Sequence, residues 1–277
     1  MMMRLTVTQL NEIKALQQAV EKHDGIELKL NWDMLENRSD AEQTDFMAYD
    51  SGRLVGFLGL YSFGSKIEVC GMVHPNYRRK GIFSGLFRES IPAMGKAVKI
   101  LLNVPADSVS GKAWLETVNC TFEESEYMMK WDGEALPDSG GSVRLRPSLP
   151  EDIGMKVQLD IVCFDFKAEE ALAYNGRLEK DGFQKEFYMI EAEGKTVGKM
   201  RIHRDGEGSG IYGFAVLPEF QGKGYGRKAL QEAVRVETSR GQRVYLDVQP
   251  ENEKALSLYT SIGFIKESQQ DYYLYSN

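Results

Sequence analysis

The chain is written twice, and that repeat constrains its fold more than any other feature. "VHPNYRRKGIFSGLF" (Val73 to Phe87) lies under "VLPEFQGKGYGRKAL" (Val216 to Leu230) at a spacing of 143 residues. The two share Val, Pro, Lys and Gly, with an aromatic residue two places after the Pro. Upstream, "SGRLVGFLGL" (Ser51 to Leu60) matches "EGKTVGKMRI" (Glu193 to Ile202) at 142, and downstream Phe122 matches Phe264, again at 142. The length fits two domains of ~140 residues each; the alternative to a repeated unit is two unrelated α/β domains with similar turns. "WDGEALPDSGGS" (Trp131 to Ser142) has the Gly, Pro, Ser and Asp content of a linker. The expected organisation is a first domain over 1–131, a linker over 132–142 and a second domain over 143–277.

In the second half, Val143 to Pro147 is predicted as a short strand, followed by helices over Glu151 to Val162 and Ala168 to Leu178. Phe187 to Glu191 and Thr196 to His203 are strands joined by the hairpin signal "AEGK", and Gly210 to Leu217 is the next strand. Gly224 to Ser239 is a helix with an apolar stripe at Ala229, Leu230, Ala233 and Val234. Val244 to Val248 is a strand, Asn252 to Ser261 a helix, and two strands follow Gly263. The order β-α-α-β-β-β-α-β-α-β-β predicts an α/β fold of the α+β type: a largely antiparallel mixed sheet flanked by helices, built once per half.

The 277 residues, 42% of them hydrophobic, suffice for two cores. No apolar run approaches the ~20 residues of a membrane span, and the N-terminus turns polar too early for a secretory signal. Cys70, Cys120 and Cys163 are odd in number and widely spaced, so neither a disulfide framework nor a metal site is expected. The net charge of −7 argues against nucleic acid as partner and suits an amine-bearing one. A cytoplasmic monomer or homodimer is expected.

"LPEFQGKGYGRKAL" is the most chemical stretch. Pro218 ends the preceding strand, and Gly222, Gly224 and Gly226 strip side chains from the turn into a helix. Backbone N–H groups and the helix dipole can then converge on a pyrophosphate, with Lys223 and Arg227 at the rim. A dinucleotide fingerprint would need glycine at 227 and a βαβ context. A Walker A loop would need Gly-Lys-Ser/Thr. The plain alternative is a tight turn with no ligand.

The second half resembles the GNAT superfamily of acyl-CoA-dependent N-acetyltransferases. The family loop R/Q-x-x-G-x-G/A is met by Gln221-x-x-Gly224-x-Gly226. Its second signature is met by Asn252, Ala255, Tyr259 and Gly263-Phe264. The resemblance implies acetyl-CoA as cosubstrate, no metal, and a bulged strand splayed from its neighbour. Phe214, Ala215 and Val216 would then hold pantetheine as an added strand would, with a backbone N–H near Val216 facing the thioester oxygen. The loop Gln221, Gly222, Lys223, Gly224, Tyr225, Gly226 and Arg227 would hold the phosphates, and Asn252 would contact the coenzyme or cap its helix. Tyr259 would give a proton to the leaving thiolate, its alternative role being packing on the sheet. The base is open between Glu207, Tyr212 and His203. Asp160, Asp165, Glu169 and Glu170 are either cation contacts or a solvated face.

The first half keeps Arg78-x-x-Gly81, but Phe83 stands where the last small residue should be and is expected to crowd the turn. Ser110, Ala113 and Thr117 fall opposite Asn252, Ala255 and Tyr259, so the proton donor is missing and that half is expected to be non-catalytic. The two-domain layout also resembles mycothiol synthases, and "ENEKALSLYTSIGF" is similar to ribosomal-protein alanine acetyltransferases. The acceptor is accordingly a small amine or a peptide or protein N-terminus. The competing reading is a non-catalytic acyl-CoA sensor or partner module.

Overall fold

The computed structural model describes residues 4–38, 43–63, 66–95, 99–134, 136, 141–180, 182–205 and 208–276. Part of the expected linker (135 and 137–140) and Glu207 lie outside the described residues. The chain forms two compact units: Met1–Ser125 with Ser268–Asn277, and Glu126–Glu267.

The first unit begins with α1 (Val7–Asp24) and α2 (Trp32–Glu36). The strands β1 (Asp45–Asp50), β2 (Arg53–Phe63) and β3 (Lys66–Val73) form an antiparallel meander. Then come α3 (Ile82–Met94), β4 (Lys99–Pro105), α4 (Val109–Leu115) and the start of β5 (Cys120–Trp131). β4 runs parallel to β3. Both faces of β2 are covered, because Phe57 and Tyr61 pack under α1 while Leu58 and Leu60 pack under α3.

The second unit repeats the plan with β6 (Val143–Pro147), α5 (Ile153–Phe164), α6 (Ala168–Lys180), β7 (Phe187–Ala192), β8 (Lys195–Arg204) and β9 (Ser209–Val216). It continues through α7 (Tyr225–Ser239), β10 (Val244–Val248), α8 (Glu253–Ile262) and the start of β11 (Phe264–Tyr275). β11 is one strand where two were expected: "FIKESQQDYYLY" holds no Gly, Pro or Asn to turn the chain. The strands β6 to β9 are antiparallel and β10 is parallel to β9.

The units do not follow the sequence halves. Gln270 to Leu274 of β11 pair with β4 and complete the first unit. Tyr127 to Lys130 of β5 pair with β10 and complete the second. Each unit takes its last strand from the other half of the chain, so the units divide inside β5, between Ser125 and Glu126, and not at its end, where the boundary at 131 was expected.

The spacing between repeats changes where the backbone changes. It is 142 up to Val69 and Ile211, the last residues paired to β4 and β10. It becomes 143 at the glycine loop because β9 carries a bulge. Lys199 and Arg201 of β8 face Ala215 and Tyr212, so one more residue is accommodated on β9. Gly213, at φ 53, supplies the left-handed backbone in this stretch. β3 has no such shift.

The spacing then becomes 144. The caps Ser108 and Asn252 and the strand starts Cys120 and Phe264 define it. The match of Phe122 with Phe264 is therefore overturned: Phe264 is fully buried, whereas Phe122 is 56% exposed.

Candidate active site

The glycine loop sits between β9 and α7. Gly224 caps the helix in the left-handed conformation (φ 81), which a Cβ would strain. The first intrahelical bond closes at Lys228 N–H to Gly224 O, 3.1 Å. The N–H groups of Tyr225, Gly226 and Arg227 precede it and remain free for an anion. Lys223 and Arg227 are exposed at the rim, and the Lys223 ammonium stands 5.1 Å from the Phe220 ring centroid.

Two expected ligand-binding side chains are engaged within the protein. The Gln221 amide donates to Val216 O at 2.8 Å, which ties the loop back to the strand it left. The Tyr225 hydroxyl donates to Glu193 at 2.5 Å, at the tip of the β7–β8 hairpin. What Gln221 and Tyr225 can offer a ligand is their backbone. Phe214 is half-buried against Gly226, Ala215 is buried under α5, and Val216 joins the core under α7.

β9 and β10 are hydrogen-bonded from Ser209/Val244 to Ile211/Leu246, with no pairing between the described residues beyond that point. The bulge lies just past the fork, so the β9 edge there is unpaired toward β10 while Ala215 and Val216 remain paired to β8. Two diverging parallel strands leave a slot in which an extended chain with amide groups can pair.

Asn252 is the N-cap of α8, its Oδ1 accepting from Ala255 N–H at 3.2 Å. Tyr259 follows seven residues later, 8% exposed, beside Phe264. Its hydroxyl makes no hydrogen bond to the described residues. Burial pushes its pKa up to about 12, so the phenol is protonated at neutral pH.

The face of β8 and β9 under α5 and α6 is unexpectedly charged. Lys199 (1% exposed) meets Asp160 (3% exposed) at 2.6 Å, and Asn175 donates to the other Asp160 oxygen at 2.6 Å. Asp160 is thus a buried ion-pair partner and not part of a solvated acidic face. Desolvation lowers the pKa of Lys199 against the pull of Asp160. Asp165 is exposed and ends α5 in the left-handed conformation. Glu169 is exposed, and Glu170 accepts from Lys167 N–H.

Of the base candidates, His203 Nδ1 lies 2.9 Å from Glu186, which also accepts from Arg201 at 2.7 Å. Burial alone would raise the pKa of Glu186. The bond to His203 and the charge of Arg201 hold it below the ordinary carboxylate range. Tyr212 stands across from Arg201 and shares a hydrogen bond with Tyr245, whose hydroxyl donates to Asp205 at 3.0 Å. Sequence reasoning missed Glu186 because it precedes β7 with no motif around it. Among the described residues there is no cluster able to hold a metal ion and no helix long and apolar enough to cross a membrane.

Known proteins share parts of this sequence and its fold. A mycothiol acetyltransferase of Amycolatopsis mediterranei is 26% identical over 291 residues, covering 93% of this chain and 92% of that one. The N-alpha-acetyltransferase RimI of Mycobacterium tuberculosis is 43% identical over 54 residues, 20% of this chain and a third of RimI. A GCN5-related N-acetyltransferase from Sphaerobacter thermophilus has the same fold, with TM-score 0.74 and 19% identity over 95% of this chain and 91% of its own. The profile of the acetyltransferase (GNAT) family matches residues 9–108 and again 158–264. With both halves matched, the chain belongs to the GNAT acetyltransferase family, as a tandem of two such domains.

Proposed function

We propose that the second unit transfers the acetyl group of acetyl-CoA to a small primary amine by direct attack. The observation that carries this is the conjunction of a free N–H cradle at Gly224, a strand fork beginning after Ile211, and a buried, protonated Tyr259 on the next helix. The cradle takes the diphosphate. The forked edge takes the pantetheine amides, and an N–H near Val216 faces the thioester oxygen. The amine lone pair attacks the thioester carbon, the C–S bond breaks, and its electron pair goes to sulfur. Tyr259 donates toward that sulfur, and the ammonium proton leaves through the polar groups around Tyr212 and His203. The products are an amide and CoA thiol.

A small amine is favoured over a protein N-terminus because the relative matched along nearly the whole chain is a mycothiol acetyltransferase. The RimI match spans a fifth of the chain. The test is thiol release from acetyl-CoA with a panel of small amines and N-terminal peptides. Amine-dependent release that Arg227→Glu weakens through KM supports the reading. Acetyl-CoA binding with no amine-dependent release from any panel member would favour the sensor reading instead.

A further inference from the structure

We infer that the proton of the attacking amine leaves along one hydroxyl chain, from Tyr212 to Tyr245 to Asp205, with the Asp205 carboxylate as its final acceptor. This route rests on the transfer proposed for the second unit. Tyr212 is the group that touches the amine, and Tyr245 and Asp205 act through it.

The chain is built over Gly210. Tyr212 lies two residues further along β9, and Tyr245 is the partner of Gly210 on β10. Both rings lean over the glycine: a Cβ there would stand 2.6 Å from the Tyr212 ring and 2.7 Å from the Tyr245 ring. The strand itself does not require glycine at this place. Glu68 of β3 stands there in the first unit, paired with Leu101 as Gly210 is with Tyr245. What requires the missing side chain is the convergence of the two phenols.

The direction of the chain follows from its hydrogens. Tyr245 has one hydroxyl hydrogen and donates it to Asp205 Oδ2 at 3.0 Å. In its bond with Tyr212 the Tyr245 oxygen is therefore the acceptor and Tyr212 the donor. A phenol that donates can also accept, so the Tyr212 oxygen can take the N–H of the amine. At the other end, Asp205 is half-buried, with Oδ1 fixed by the Gly208 N–H at 2.9 Å. Burial pushes the pKa of Tyr245 far up, so this phenol passes a proton on and does not act as a base of its own.

The chain also lies on the right side of the sheet. Tyr212 is the first β9 residue past the fork. Ile211, Val244 and Leu246 pack with α7 and Tyr259 in one core, and alternation puts Tyr212 and Tyr245 on the opposite face. The thiolate then gains its proton on one face while the amine loses its proton on the other. As the C–N bond forms, the nitrogen becomes positive and its N–H acidic. That proton moves to the Tyr212 oxygen, the Tyr212 proton to Tyr245, and the Tyr245 proton to Asp205. Both phenols end neutral, and the carboxylic acid of Asp205 returns its proton to water.

Other charged groups surround the chain. Arg201 and His203 of β8 face Tyr212 and Gly210, and Glu186 binds both of them. Lys130 of β5, paired to Glu267 at 2.8 Å, lies across from Tyr245. His203 is the rival acceptor, already held at Nδ1 by Glu186. The first unit lacks this machinery at both ends. Cys70 and Leu101 stand at the places of Tyr212 and Tyr245. Leu115, seven residues after the cap Ser108, stands where Tyr259 follows Asn252, and Thr117 lies past the helix.

The test is amine-dependent thiol release from acetyl-CoA, measured against pH and in mixtures of light and heavy water. The proteins are the wild type, Asp205→Asn, Tyr245→Phe, their double variant and His203→Gln. Thermal melts check folding, and calorimetry gives acetyl-CoA affinity. Asp205→Asn and Tyr245→Phe should each lower turnover ~10²-fold with acetyl-CoA affinity unchanged. The double variant should lose no more than either single one, because the residues act as a unit. Residual turnover of Asp205→Asn should rise about tenfold per pH unit, as hydroxide replaces the carboxylate. The wild-type rate should depend on the heavy-water fraction along a curve, from several protons moving together, and Tyr245→Phe should make it linear. A loss confined to His203→Gln, or wild-type turnover in Asp205→Asn, overturns the route and leaves the proposed function standing. No amine-dependent release by the wild type overturns both.

Discussion

Phe83 lies over Gly71: a Cβ built on that glycine would stand 2.8 Å from the Phe83 ring. The second unit has the same contact reversed, with Phe214 on the strand and Gly226 on the helix, 3.5 Å apart by the same measure. Phe83 was expected to crowd the turn. Its ring instead leaves the turn, covers the strand and meets Trp114 edge to face at 4.7 Å. Each unit keeps one aromatic and one glycine at this crossing, so the volume is conserved while the residues trade places.

The trade predicts a compensating pair. Gly226→Phe alone should overpack the second unit and cost about 1–3 kcal/mol. Adding Phe214→Gly should recover part of that loss. Chemical denaturation of the two variants checks it, and equal stability of the single and double variants would show that the crossing does not couple them.

Tyr259→Phe should lower turnover by ~10²-fold while leaving acetyl-CoA affinity unchanged. Because burial pushes the phenol to about 12, wild-type kcat should show no alkaline fall from this group below about pH 10. Unchanged turnover in Tyr259→Phe would remove the acid assignment and leave packing as the role of this ring.

Asp160→Ala should cost about 3–5 kcal/mol, since it strands the Lys199 ammonium in a buried site. The double variant Asp160→Leu/Lys199→Met should be far less destabilised. Urea midpoints of the three proteins decide it.

Asp24 gives the first unit an acid-sensitive tie. The hydrogen bond from Arg78 outweighs burial and holds its pKa below the ordinary value of 3.8. The folded pKa lies under the unfolded one, so the stability it contributes is complete above the unfolded value. It is lost as pH falls through the folded pKa. Asp24→Asn should lower Tm at pH 7 and flatten its decline between about pH 4 and pH 2. A parallel shift at every pH would refute the linkage.

The exchanged strands predict that neither half is self-sufficient. A fragment of residues 143–277 lacks Tyr127 to Lys130, the partners of β10, and should be poorly folded by circular dichroism and melting. A fragment folding as cooperatively as the full chain would contradict this.

What could be read from the sequence alone was local. The helix entered near Gly224, the N-cap at Asn252 and the place of Tyr259 on its helix follow from short-range patterning and capping preferences, and the duplication is read by comparing the chain with itself. The R/Q alternation in the loop signature gains its reason only in three dimensions. Arg78 donates from Nε to Val73 O and Gln221 from its amide to Val216 O, so either side chain can brace the same strand end. Tertiary structure alone decided which strand completes each sheet, that Asp160 meets Lys199 in the interior, and that Leu115 and not Thr117 takes the helical place of Tyr259. A strand's edge is satisfied by any partner of suitable register, and a charge can be buried only where its counterion arrives from elsewhere in the chain. Both are set by contacts between residues far apart in sequence, which no local pattern encodes.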